Sequence, residues 1–155
     1  MIIFVSWQSF SKILNTKVQK IDMNTIKHVL LKGNEEFLDH PMSVASYGKL
    51  YWRKSNKKLN VGDIVYLFMS GKGHYQIRYK LEVTNTSVTR QDEKCWRAPF
   101  VPDNDCFEFT PVADIYDGNE LGYGELESIG INRYAQYIVL NEDQVNFIDK
   151  YFKKK

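Results

Sequence analysis

Over Tyr75–Val83 apolar and polar positions alternate with a period of two: Ile77, Tyr79, Leu81 and Val83 fall on one face, Gln76, Arg78, Lys80 and Glu82 on the other. A half-exposed antiparallel strand has this pattern. Just before it, Val61–Met69 is rich in β-branched and aromatic residues and opens at the turn-forming Asn60-Val61-Gly62-Asp63. Ser70-Gly71-Lys72-Gly73 turns the chain between the two stretches, which together predict a hairpin. Cys106–Ile115 alternates in part and predicts a further strand. Pro99, Pro102 and Asp103-Asn104 mark the segment before it as a long loop carrying Trp96 and Phe100. Tyr134–Leu140 reads as a closing strand, and the apolar Ile2–Val5 as a buried first one.

Helical spacing is less common. Asn24 is placed to cap a helix through Ile26, Val29 and Leu30 that stops at Lys32-Gly33-Asn34. A second turn over Glu35–Leu38 is expected to end at His40-Pro41. Leu121–Ile129 predicts a short helix stopped by Gly130. Asn141 caps a last amphipathic helix, with Val145, Ile148 and Phe152 on one side and Lys153-Lys154-Lys155 against its C-terminal dipole. No repeat or linker interrupts this order, so the 155 residues are expected to form one domain.

Composition narrows the functional classes. Cys95 and Cys106 lack metal-ligand spacing, so no structural zinc or other cofactor is expected. The N-terminal stretch does not resemble a secretion leader and no apolar run is long enough for a bilayer; a cytoplasmic protein with reduced thiols and no membrane partner is expected. GxSxG, HExxH, P-loop and dinucleotide motifs are absent. His28, His40 and His74 have no carboxylate at suggestive spacing and are expected at the surface, and Asp103, Asp105 and Glu108 read as a solvated acidic edge. The chain is therefore not expected to be an enzyme.

Charge adds a division that the net value of +2 conceals. Residues 41–81 carry eight bases against Asp63 alone, whereas 82–127 carry eleven acids against Arg90, Lys94 and Arg97. Such segregation gives either a basic face that attracts phosphates and an acidic one that does not, or two ordinary solvated surfaces.

Three blocks occur in a telling order: Tyr51-Trp52-Arg53-Lys54-Ser55, the Gly-Asp-led Val61-Gly62-Asp63-Ile64-Val65-Tyr66-Leu67, and Ile77-Arg78-Tyr79-Lys80-Leu81-Glu82-Val83. In this order they resemble the EVE family of the PUA-like superfamily, and Gly130-Ile131-Asn132-Arg133-Tyr134-Ala135-Gln136 with its closing helix looks like the family's end. The resemblance implies an α+β fold, a PUA-like mixed β-barrel of about five to six strands with helices packed outside. It also implies a pocket at the barrel edge for a methylated or hydroxymethylated base, flipped out of its strand. Such modules act as readers in modification-dependent restriction or defence, so the implied partners are modified DNA, or RNA, and a nuclease or other effector on another chain.

The similar YTH domains bind methylated adenine in RNA, and likeness to them implies site residues. Trp52, ahead of Ser55, matches a wall of their aromatic cage; Asp92-Glu93-Lys94-Cys95-Trp96 looks like the loop bearing the second wall, with a cysteine inserted; Ser6 and Trp7 match the region that meets the base edge. Ser6, Ser55 and Gln136 are candidates for polar contacts that separate modified from unmodified bases. Trp52, Trp7 and Trp96 are the candidate rings, each stack being worth about 1 to 3 kcal/mol. Arg53, Lys54, Lys57 and Lys58 would hold phosphates beside them. The rival within the superfamily is an ASCH-like ribonuclease, for which Lys54 and Tyr134 would be the working side chains.

Overall fold

A computed structural model of the protein describes residues 26–153. The expected strand Ile2–Val5, the cap Asn24, and Ser6 and Trp7 lie outside the described residues. Six strands form one mixed sheet: β1 (His28–Asn34), β2 (Leu50–Trp52), β3 (Ile64–Gly71), β4 (His74–Val88), β5 (Cys106–Pro111) and β6 (Tyr137–Val139). In space they lie in the order β2-β5-β4-β3-β1-β6. β1 runs parallel to β3, and all other neighbours are antiparallel. Among the described residues three α-helices accompany them: α1 (His40–Tyr47), α2 (Tyr123–Glu127) and, after the last strand, α3 (Glu142–Asp149). None of these helices is long and apolar enough to cross a membrane.

β1 stands where a helix was expected. Val29, Leu30 and Leu31 are at most 1% exposed because the strand lies between β3 and β6 with both faces covered. A strand buried on both sides shows no alternation, and apolar residues at 26, 29 and 30 imitate a helical stripe. The helical turn expected over 35–38 is a plain turn, and α1 begins where a stop was expected. Asp39 accepts from the Met42 amide at 3.0 Å, and Pro41 sits in the first turn, where a missing N–H breaks no helical hydrogen bond.

The hairpin of β3 and β4 follows the alternation, with one departure. Phe68 lies opposite Ile77 and Leu67 opposite Tyr79, so Arg78 is the extra residue of a bulge. That insertion turns Ile77 to the face opposite Tyr79, Leu81 and Val83, which splits the single apolar face expected from the sequence. At the far end Asn141 caps α3 by a reciprocal pair with Gln144, and Ile148 and Phe152 pack on the sheet as the spacing predicts.

The sheet is rolled but does not close. Trp52 on β2 and Gly33 on β1 are four strands apart, about 19 Å in a flat sheet at ~4.8 Å per strand. Even so, a methyl group added at Gly33 would lie 2.6 Å from Cη2 of Trp52, so the sheet curls its edge strands towards one another. Val29, Leu31, Val65, Leu67, Tyr79 and Phe109 fill the inner face. Leu30, Tyr66, Phe68 and Ile77 form the outer face, which Tyr123 and Leu126 of α2 and Ile148 of α3 cover. Among the described residues β2 and β6 pair on one side only, so the expected closed barrel is corrected to an open, rolled six-stranded sheet.

At Gly33 the rolled sheet brings β1 against the ring of Trp52. The methyl added at Gly33 would also meet Met69 at 3.1 Å, so Gly33→Ala must push the Trp52 ring aside. Overpacking of this kind costs about 1 to 3 kcal/mol. Urea unfolding followed by tryptophan emission should show that loss together with a shifted native emission maximum; an unchanged spectrum would mean the Trp52 tip is not seated on Gly33.

Candidate functional site

The segregated charges of the sequence meet in the fold. Lys49, Lys54 and Arg78 pair with Glu108 at 3.2 Å, Asp105 at 2.6 Å and Asp117 at 2.9 Å, all three from the acidic segment. Lys72 and Lys80 pair with Glu36 and Asp149. β2, β5 and β4 are neighbours, so the two segments neutralise each other across the sheet instead of forming separate basic and acidic faces. Arg53, Lys57 and Lys58 are left with no ion pair among the described residues.

These three cations sit on a strained loop that follows Trp52. Ser55 and Asn56 adopt φ of 39° and 24°, conformations that residues with a side chain seldom take. The Lys57 amide donates to the Lys54 carbonyl at 2.9 Å, which holds the turn closed. Burial, followed by the nearby positive charge of Arg53, pushes the Lys57 ammonium below its ordinary range. An anion beside the turn would relieve that repulsion. Lys54 differs from its neighbours because its Nζ is committed to Asp105, and Ser55 is exposed at the tip.

Trp52 is half-buried. Its ring stacks on Phe109 with centroids 6.0 Å apart, tilts against His40 at 6.0 Å, and rests its tip on Gly33. Trp96 belongs to a different neighbourhood. Its Nε1 donates to Asp92 at 3.2 Å, the Arg90 guanidinium lies 4.9 Å from its ring, and Phe100 meets it edge-on at 5.4 Å. A cleft of about 470 Å³ between residues 89–90 and 100–104 opens on that side. Ring contacts thus join Trp52 to His40 and Phe109, and Trp96 to Phe100. Gln136 is exposed just ahead of β6, where the register that pairs Leu31 with Tyr137 places it near Lys32.

The structure also contains a buried polar cluster that the sequence reading missed. The Glu35 carboxylate, 3% exposed, accepts from Arg78 Nη1 and from the Tyr79 hydroxyl at 3.0 Å each. His40, expected at the surface, is likewise 3% exposed, with Nδ1 3.9 Å from the same oxygen. Burial, assisted by the positive charge of Arg90, lowers the His40 pKa to about 4, so its ring is neutral at pH 7. Burial and then the Glu35 carboxylate push the Tyr79 phenol upwards. Arg78 looked like one of the polar-face residues of β4, and only the bulge turns it towards Glu35; no spacing in the sequence signals this.

With this geometry, the fold is similar to those of several solved structures. The chain is similar to the ASCH domain of Zymomonas mobilis (TM-score 0.54, 8% identity, covering 83% of this chain and 97% of that one). It is also similar to the Pho92 YTH domain in complex with m6A (TM-score 0.53, 16% identity, 84% and 86%). A third likeness is to a hypothetical protein from Leishmania major (TM-score 0.51, 15% identity, 81% and 93%). At these identities the likeness is one of fold alone. No protein-family model and no curated protein matches the sequence.

Proposed function

We propose that this chain is an EVE-type nucleic-acid-binding module that reads a methylated or hydroxymethylated base and leaves any cleavage to a separate effector chain. The observation that carries the reading is the set of cations Arg53, Lys57 and Lys58, unpaired among the described residues, on a strained turn directly after the half-buried ring of Trp52. Phosphates held at the turn would bring an extruded base to that ring. The polymer favoured by the EVE resemblance is DNA; the YTH neighbour, whose structure holds m6A, makes RNA the alternative.

Binding is favoured over ASCH-like catalysis by the state of the two residues catalysis would need. Lys54 is tied to Asp105, and Tyr134 is 81% exposed with no side-chain hydrogen bond among the described residues. The test is a titration of modified and plain oligonucleotides over a range of salt. Three phosphate contacts give a slope of log K against log salt of about −2 to −3. Trp52→Leu should weaken binding of the modified strand by about 1 to 3 kcal/mol, the worth of one stacked base. A salt-independent affinity, or cleavage of single-stranded RNA that Lys54→Ala abolishes, would overturn this function.

A further inference from the structure

Among the described residues, two buried side-chain polar atoms have no hydrogen-bond partner: Nδ1 of His40 and Nε of Arg78. Both belong to the Glu35 cluster, and the His40 ring lies against Trp52. Unsatisfied buried polar atoms are rare in folded proteins, and two in one cluster call for a partner from outside the chain, a water or a ligand. At the edge of the cluster, Trp52 is half-buried, and Asp117, the second partner of Arg78, is 71% exposed.

The chemistry of the missing group follows from the atoms that await it. Arg78 Nε–H can only donate, so its partner must be an acceptor. An atom set between His40 Nδ1 and the Glu35 carboxylate must donate to that carboxylate, because an ionised carboxylate only accepts. A phosphodiester has no hydrogen to donate, and the buried Glu35 carboxylate repels an anion set beside it. The demand is for a neutral group with a donor beside an acceptor, and a planar heterocycle with an amidine or lactam edge meets it.

We propose that His40 and Arg78 read the hydrogen-bonding edge of a nucleobase that enters beside Trp52. The proposal rests on the base-reading function above and assigns it two polar residues that neither the motif nor the cation pattern indicates. Trp52 would cover the face of the ring while the cluster takes its edge, which separates stacking from edge recognition.

The test observes the two atoms directly in the wild-type protein, by nitrogen-15 NMR of the Arg78 Nε–H and the His40 ring, as free nucleosides and, separately, inorganic phosphate are added. Nucleosides should shift both signals and protect Nε–H from solvent exchange, and phosphate should move neither. Arg78→Lys, which keeps the charge without the Nε–H, and His40→Asn should each weaken nucleoside binding about tenfold, the loss expected for one buried hydrogen bond. Shifts produced by phosphate would show an anion site and overturn the assignment, as would nucleosides that leave both signals in place. Oligonucleotide binding with both signals unmoved sinks the assignment alone. Nucleoside-induced shifts without any preference for modified strands would support the assignment and sink the modified-base reading.

Discussion

Arg78→Met is expected to remove about 3 to 5 kcal/mol of stability, the usual consequence of breaking a buried ion pair by deleting one partner. The guanidinium is 7% exposed and the Glu35 carboxylate 3%, so its loss leaves that carboxylate buried, with the Tyr79 hydroxyl as its remaining side-chain donor. Urea unfolding at neutral pH measures the loss. Adding Glu35→Gln should restore part of it, because the amide keeps an acceptor for Tyr79 without an uncompensated charge. Asp117→Asn removes the exposed partner of the same guanidinium and should change stability by no more than about 1 kcal/mol. A loss below about 1 kcal/mol for Arg78→Met would show that Glu35 reaches solvent or another donor.

The second large effect is an acid-induced loss of stability centred on His40. Its pKa falls from 6.5 to about 4 because the folded chain buries the ring near Arg90 and Arg97, with Asp39 opposing them. The neutral form is favoured in the folded state, so this contribution is complete above about pH 6.5. Between about 6.5 and about 4 the unfolded chain takes up a proton that the folded chain refuses, and stability declines until it levels off below about 4. A shift of this size corresponds to roughly 3 kcal/mol. Between pH 7 and pH 4.5 the wild-type protein should lose about 2 to 3 kcal/mol more than His40→Gln, which has no proton to gain. Parallel losses in the two proteins would place His40 in contact with water.

Reading the sequence succeeded where a local signal decided the structure. β3 and β4 followed from alternation around a glycine turn, and α3 from the Asn141 cap and the spacing of Val145, Ile148 and Phe152. It failed where neighbours decided. β1 lies inside the sheet with the inner core on one face and α2 and α3 over the other, which erases its period, and Pro41 opens α1 because Asp39 caps the turn before it. The site divides in the same way. Trp52 and the bases after it stand out in the sequence, but which bases remain unpaired depends on Asp105 and Glu108 arriving on the neighbouring strand and its leading turn. The Glu35 cluster needs the bulge at Arg78 and the packing of His40 under Trp52, neither of which leaves a local mark.

The roll of the sheet links these features. It carries the end of β2 over Gly33, sets Trp52 above His40, and leaves the unpaired cations on the loop just beyond. Fluorine NMR of protein labelled with 5-fluorotryptophan reports on the three tryptophans separately as oligonucleotide is added. The Trp52 resonance should move, saturating at a lower concentration with a strand carrying a methylated or hydroxymethylated base than with the plain strand, and movement of Trp7 or Trp96 would identify the second ring. A Trp52 resonance that stays fixed while the protein binds nucleic acid, or that moves alike with both strands, would contradict base reading at this edge.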